Sequence, residues 1–275
     1  MLSGQKQNAW KLPAVLNLAL GGMGAGYYLI ALLLIVPHSA DWTQSLAQAA
    51  MLKVLGPLLV SVGLLSLTVE AGHPFKSIYL LTNLRHSWMS REALAAGVFI
   101  LAAVLDWLTP GAILRGIAGL AALVFILAQG MIVWRASGVF TWNTPVVPWF
   151  FLTCALVTGS GVMLVVGRVF STPSWVSLPL VTVGIAILNS IVWLVYLNTP
   201  GEVFQRETKP LRQMSHIART LGVGHALPIA LLLIALTMPM PFVIPVAGVA
   251  LIFGGVIQKS AFALEASSMR SLIQK

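Results

Sequence analysis

Long apolar segments separated by short polar ones occupy most of the chain, and this pattern predicts helices that cross a membrane. A helix needs about 20 mainly apolar residues to span the hydrocarbon layer. Eight segments approach this length, and the predicted helices cover residues 13–36, 47–70, 93–109, 112–135, 147–169, 176–198, 224–239 and 241–259. The pattern therefore predicts an all-α polytopic membrane protein, one integral membrane domain over residues 1–275, with eight transmembrane helices in two four-helix bundles.

The composition indicates that lipid is the main solvent of this chain. Hydrophobic residues make up 58% of it and charged residues only 8%, with a mean hydropathy of +0.93. Soluble domains carry about 25% charged residues, so a soluble fold of this size would leave much apolar surface in water. The net charge of +9 arises from Lys and Arg at the ends of apolar segments, so we expect no nucleic-acid partner.

The basic residues predict the orientation of the chain in the membrane. We call the face that holds the N-terminus side A and the opposite face side B. Thirteen Lys and Arg fall on side A, whereas side B has Arg115 and Arg168, with Lys53 near its boundary. By the positive-inside rule, side A and both termini are predicted to be cytoplasmic in an inner membrane. The polar N-terminal stretch has no cleavage site of small residues, so we expect the first helix to be the insertion signal.

Two long loops, over residues 71–92 and 199–223, are predicted on side A. Each contains a stretch in which Lys and Arg alternate with apolar residues, KSIYLLTNLRHSW and PLRQMSHIARTLG. Such stretches are typical of helices that lie in the headgroup layer, and they also suit the docking of a partner subunit. The predicted docking residues are Arg85, Arg91, Arg135 and Trp142, with membrane anchoring and an interfacial aromatic belt as the alternatives.

The end of the second predicted helix carries the first candidate for chemistry. Glu70 is followed by Gly72, His73 and Pro74, which end the helix. A carboxylate at the edge of hydrocarbon costs about 3 kcal/mol and often marks a functional site. One hypothesis is that Glu70 exchanges a proton with a bound redox cofactor. The alternatives are a Glu70 that reaches water or pairs with a nearby cation, and a solvated loop histidine at His73.

A second candidate is the glycine-rich stretch LGGMGAG in the first helix. Gly22 and Gly26 form a GxxxG pair, which lets two helices approach closely in a membrane. The same small residues also leave a groove for a flat ring. Tyr27, together with Tyr28, supplies hydroxyl groups that suit the carbonyl oxygens of a quinone.

Metal and haem sites are not expected in this chain. Cys154 is the only cysteine, so neither an internal disulfide nor a cysteine-based iron–sulfur site is possible. Haem held by two histidines needs a facing pair inside the membrane, and His225 is the only histidine predicted within a helix. The His and Glu residues show no metal-ligand spacing, so no metal is predicted.

Four motifs occur in an order that resembles one family of membrane subunits. They are LGGMGAG in the first helix, EAGHP after the second, SWMSREAL before the third, and TWNTPVVPWFFLTCALVTGSG entering the fifth. This set is similar to the polysulfide-reductase (NrfD/PsrC-like) and DMSO-reductase (DmsC-type) anchors of complex iron–sulfur molybdoenzymes. The motifs span roughly residues 20–162, and the second half matches in hydropathy only.

The resemblance implies a subunit that binds a quinone or quinol, either menaquinone or ubiquinone. It would exchange electrons with an iron–sulfur subunit carrying four [4Fe–4S] clusters, which serves a catalytic subunit with a molybdenum bis-pterin. The family's acid or histidine at the quinone site falls on Glu70, and a polar helix-4 residue on Gln129. The departures are Glu in place of His or Asp, and His73 in place of the usual Arg.

Two other functions are open at this point. A transporter or channel is suggested only by Asn189 and Asp106, since transporters carry polar groups near the midplane. A purely structural anchor without quinone contact is compatible with every motif. The substrate of the complex, the direction of electron flow and the oligomeric state are not determined by this chain, because the catalytic chemistry is expected in a partner.

Overall fold

The structure is a computed structural model that describes residues 12–35, 46–71, 83–167, 177–238 and 242–266. Within these ranges the regular elements are helices and there is no strand. The membrane-length helices are α1 (12–35), α2 (Leu46–Ala71), α3 (Trp88–Leu108), α4 (Ala112–Trp134), α5 (Val147–Val166), α6 (Ser177–Leu197), α8 (Met214–Thr237) and α9 (Val243–Glu265). The short helix α7 (Glu202–Glu207) lies between α6 and α8.

Seven of these helices are long and apolar enough to cross a membrane in the described part of the chain, namely α1, α3, α4, α5, α6, α8 and α9. The chain is therefore a multi-pass membrane protein. Helix α2 is continuous over 26 residues, but its apolar stretch, Lys53–Thr68, is shorter than the other seven. The all-α prediction is confirmed, and the eighth span and the two four-helix bundles stay predictions.

Helix α3 begins at Trp88, five residues before the predicted start. The Ser87 side chain accepts a hydrogen bond from the Ser90 amide at 3.3 Å, so Ser87 is the N-cap. A cap satisfies one of the free amides of a helix start. Ser90 and Glu92, which the sequence placed in the loop over residues 71–92, therefore belong to the helix.

Helix α8 begins at Met214, ten residues before the predicted start. Its first turn continues into a π-helical segment, Ala218–Ala226, and then into Leu227–Thr237. Residues 214–223 were expected to be loop or a separate surface helix, and this expectation is wrong. Pro228 lies inside this continuous helix, at the start of its final α-helical part.

Helix α9 extends beyond its predicted end at residue 259 through a π-helical turn, Ala261–Glu265. Lys259 is therefore inside a continuous helix, although the sequence placed it at the helix end. The apolar residues Ala261, Phe262 and Ala263 after it are all buried, and their burial explains why the helix continues.

Helix α5 lies at the centre of the molecule and packs against α1, α4, α6 and α9. Small residues allow these close approaches, as expected for helices in lipid. A Cβ added to Gly26 of α1 would lie 2.0 Å from the carbonyl oxygen of Ala155 in α5. A Cβ added to Gly161 of α5 would lie 2.7 Å from the carbonyl oxygen of Gly248 in α9. Glycines therefore set the separation of the helix backbones around α5.

A buried group of charges joins α2, α3 and α4 at side B. The Asp106 carboxylate lies 3.0 Å from the Lys53 ammonium and 3.6 Å from Arg115 Nε. It also accepts a hydrogen bond from the Gly111 amide at 2.9 Å, and Lys53 donates to the Asp106 carbonyl at 2.7 Å. These contacts account for Asp106, one of the two hints of a transporter, as a link between helices.

Candidate functional site

A π-helical turn, Asn17–Gly21, interrupts the α-helical winding of α1 near side A. In a π-helix each carbonyl pairs with the amide five residues later, and such turns frequently occur at functional sites. Two carbonyls of this turn accept hydrogen bonds from side chains on other helices. Lys259 Nζ donates to the Leu18 carbonyl at 2.6 Å, and Gln129 Nε2 donates to the Asn17 carbonyl at 3.4 Å. The turn therefore draws polar groups from α4 and α9 to one place.

Glu92 brings a carboxylate to the same turn from α3. It lies in the second turn of that helix and is only 7% exposed. Asn17 Nδ2 donates to Glu92 Oε1 at 3.3 Å, and the Gln129 side chain reaches Asn17 from α4 through the Asn17 carbonyl. An ionisable side chain inside a membrane segment is costly and usually functional. Glu92 is therefore the acid that the structure places at the site.

Two buried acceptor atoms at this site have no hydrogen-bond partner among the described residues. They are Asn17 Oδ1 and Gln129 Oε1. Buried polar atoms are nearly always hydrogen-bonded, so orphaned acceptors call for a donor from a water molecule or a ligand. We name Asn17, Glu92, Gln129 and Lys259 the side-A polar cluster. It offers unused acceptors, a carboxylate and an ammonium around one turn of α1.

The structure brings one of the predicted quinone-binding residues into the side-A polar cluster and a second one beside it. Gln129 is a member, and a Cβ added to Gly22 would lie 2.3 Å from Lys259 Nζ and 3.6 Å from Gln129 Oε1. Gly26 and Tyr27 lie further toward side B. Gly26 contacts the α5 backbone, and the Tyr27 hydroxyl donates to the Met51 carbonyl at 3.1 Å. Gly26 therefore serves helix packing, the first of the two interpretations of the GxxxG pair.

Glu70 is the penultimate residue of α2, but its side chain is outside the described part of the structure, and His73 lies outside the described residues. The path of α2 is known up to that point. A Cβ added to Gly63 would lie 3.3 Å from Asn17 Oδ1, so α2 passes directly beside the side-A polar cluster. Glu70 is the seventh residue after Gly63, which places the Glu70 backbone about 10 Å further along the helix toward side A.

Three of the four predicted docking residues lie at the surface on side A. Arg85 and Arg135 are exposed. Arg91 is partly buried: its guanidinium lies 4.3 Å from the Trp88 ring centroid and donates to the carbonyls of Leu84 and Arg85. These contacts order the segment before α3, and they leave Arg85 and Arg135 available to a partner.

The fourth, Trp142, is a core residue with only 2% of its surface exposed. Its indole stacks on Phe262 with ring centroids 6.0 Å apart, and Nε1 donates to the Phe262 carbonyl at 3.2 Å. The neighbouring Thr141 hydroxyl donates to the Ala266 carbonyl. The indole is thus not available as a surface contact, and the TWNTP motif instead fastens the segment before α5 to the end of α9.

A second buried polar group joins α5, α6, α8 and α9. Thr153 Oγ1 donates to Asn189 Oδ1 at 2.9 Å, and Asn189 Nδ2 lies 2.8 Å from both His225 Nε2 and Gln258 Oε1. His225 Nδ1 lies 2.7 Å from the Thr220 carbonyl, which only a protonated Nδ1 satisfies, so Nε2 is the acceptor. Asn189 is therefore fully used in linking helices, which accounts for the other hint of a transporter.

Three members of the side-A polar cluster were not predicted from the sequence, namely Asn17, Glu92 and Lys259. Glu92 was assigned to the predicted loop over residues 71–92, because α3 was predicted to begin after it. Lys259 was counted among the charges at side A, because α9 was predicted to end there. The apolar residues that follow Lys259 were a usable signal that the helix continues. No signal in the sequence showed that these residues meet, since they lie on three different helices.

Comparison with known families identifies the chain. The family model of the DMSO reductase anchor subunit (DmsC) matches residues 6–240. The chain belongs to this family. The resemblance to DmsC-type anchors is thus confirmed, and the NrfD/PsrC-like subunits are a related family. No curated protein matches the chain. Membership makes the chain a membrane anchor subunit of a DMSO reductase-type molybdoenzyme complex. The matched range includes Asn17, Glu92 and Gln129 and ends before Lys259.

Proposed function

We propose that this DmsC-family anchor binds a quinone or quinol at the side-A polar cluster and passes electrons between the membrane quinone pool and an iron–sulfur subunit. The observation that carries the proposal is the buried Glu92 carboxylate beside the orphaned acceptors Asn17 Oδ1 and Gln129 Oε1. The donor set fits such a headgroup, because hydroxyl hydrogens of a quinol match the unused acceptors and its oxygens match the amide donors.

A quinol supplies two electrons and two protons when it is oxidised. The residues of this chain have to hold the headgroup and accept its protons. Asn17 and Gln129 are placed to orient it, since both amides are fixed by contacts to the π-helical turn and to Glu92. Glu92 is placed to accept or return a proton, and a positioned carboxylate contributes about 100-fold or more to such a transfer.

Glu70 is the second carboxylate of the proposed site. Its backbone follows, toward side A, the part of α2 that lies against Asn17. We propose that Glu70 carries protons between Glu92 and water on side A. In this arrangement Glu92 contacts the headgroup, and Glu70, with His73 after it, forms the exit.

Family membership and the distribution of charge support the remaining parts of the proposed assembly. We propose that the partner subunits carry four [4Fe–4S] clusters and a molybdenum bis-pterin, and that they dock on side A, near Arg85 and Arg135. We also propose that α2 spans the membrane, which gives eight helices in two groups of four. Side A, with both termini, then faces the cytoplasm of an inner membrane, as the excess of Lys and Arg indicates.

The test is the substitution Glu92→Gln in the whole complex, which keeps the shape of the side chain and removes its proton-accepting charge. We expect quinol-linked turnover to fall about 100-fold, with artificial-dye turnover at the catalytic subunit unchanged. The matched control is Glu202→Gln, because Glu202 is exposed at the start of α7.

Quinol-linked turnover of the Glu70→Gln variant, measured in the same way, distinguishes the roles of the two carboxylates. If Glu70 forms the proton exit, we expect Glu70→Gln to slow quinol-linked turnover and external buffer to restore part of the rate. Wild-type quinol-linked rates in Glu92→Gln would refute the proposed role of Glu92. Unchanged rates in both variants would leave the chain a structural anchor.

A further inference from the structure

Lys259 presents an ammonium group deep inside the protein. The residue is only 1% exposed, and Nζ donates to the Leu18 carbonyl at 2.6 Å. No carboxylate among the described side chains lies within 4 Å of it. An ammonium has three hydrogens to donate, and a buried charge without a counter-charge is strongly unfavourable. A purely structural link to Leu18 would need only a neutral donor.

The surroundings of the ammonium point toward the side-A polar cluster. Nζ lies against the backbone of Gly22, on the side where the orphaned Gln129 Oε1 is also found. Nζ also lies over the Phe151 ring, 5.5 Å from its centroid, and the negative face of the ring stabilises a positive charge there. The ammonium thus stands at one side of the π-helical turn, and the Glu92 carboxylate reaches the same turn through Asn17.

We infer that Lys259 is a ligand-binding residue of this site, donating a hydrogen bond to one oxygen of a quinone-type headgroup. The inference rests on the proposed function. It adds a charged donor to a site whose other members are two amides and a carboxylate. A positive charge favours whichever ligand oxygen carries more negative charge, so Lys259 and Glu92 make the two ends of the site chemically different.

The substitution Lys259→Met tests the inference in the intact, detergent-solubilised complex, because methionine fills a similar volume without charge. Lys259→Gln is measured beside it, since a neutral amide can keep the contact to the Leu18 carbonyl. The control is Lys209→Met, at an exposed position on side A. Binding is measured by fluorescence quenching of a hydroxyquinoline N-oxide quinol analogue. We expect affinity to fall about 10- to 100-fold in both Lys259 variants, as for a lost charge-assisted hydrogen bond, and to stay unchanged in the control.

A measurement on the wild-type complex does not depend on how the variants fold. A photoreactive azido-quinone is expected to label the peptide over residues 243–265 as well as the peptide that contains Glu92. Wild-type analogue affinity in Lys259→Gln, or labelling of the Glu92 peptide without residues 243–265, would overturn the inference and leave the proposed function standing. Unchanged binding of the analogue in Glu92→Gln and in both Lys259 variants would refute both this inference and the proposed function.

Discussion

A tight contact between two helices, α1 and α5, allows a quantitative test of the fold. In the contact between α1 and α5, a Cβ added to Gly26 would lie 2.0 Å from the Ala155 carbonyl oxygen, and one added to Gly159 would lie 2.2 Å from the Tyr27 amide nitrogen. The atoms met are backbone atoms, which cannot rotate away as a side chain would. The substitution Gly26→Ala must therefore push the two helices apart.

The size of the effect follows from these distances. Ordinary carbon contacts begin near 3.4 Å, so the new methyl group needs about 1.4 Å of additional separation. A gap of about 1 Å already removes up to half of each neighbouring dispersion contact. Because overpacking of a tight core costs about 1–3 kcal/mol even where side chains can adjust, we expect about 3 kcal/mol or more for Gly26→Ala.

Cys154 supplies the assay, since it is the only cysteine and is fully buried in α5. Its alkylation during heating, followed by mass spectrometry of this chain in the purified complex, reports when α5 becomes exposed. We expect the midpoint for Gly26→Ala to fall by about 6 °C or more. The control is Gly97→Ala in α3, where an added Cβ meets nothing within 4 Å. Equal midpoints for Gly26→Ala and the wild type would refute the described packing of α1 on α5.

Two further predictions concern buried polar contacts. Asp106→Ala should destabilise the chain by about 3–5 kcal/mol in the same thermal assay, because the buried Lys53 loses the carboxylate that pairs with it. A change below about 1 kcal/mol would show that this ion pair is not buried as described. Trp142→Phe should lower the stability of the chain by about 1–3 kcal/mol, because the Phe262 carbonyl loses its hydrogen-bond donor. The partner subunits should still be recovered on affinity purification. Loss of these subunits with unchanged stability would instead assign Trp142 to the docking surface.

The sequence alone determined the class of protein, an all-α multi-pass membrane protein, because apolar length and the absence of charge are local properties of a segment. The predicted and observed bounds of α4 differ by one residue, at its C-terminal end. The errors in the predicted helix bounds occur where two local signals favour different bounds. Ser87 and Ser90 are both acceptable caps, and only packing of Glu92 into the protein selects the earlier start of α3. The ordered motifs also identified the family, because four motifs in a fixed order are far more specific than any one motif alone.

The tertiary structure decided which polar residues meet. Residues 17, 92, 129 and 259 are dispersed along the chain, and no spacing rule relates them. Their meeting depends on the π-helical turn of α1, whose carbonyls are presented to α4 and α9, and on glycines that let the helices approach. Hydrophobic segments reveal where a chain enters lipid, since that depends on composition. Which faces then pack together depends on shape over long separations, so the members of the site are visible only in the folded molecule.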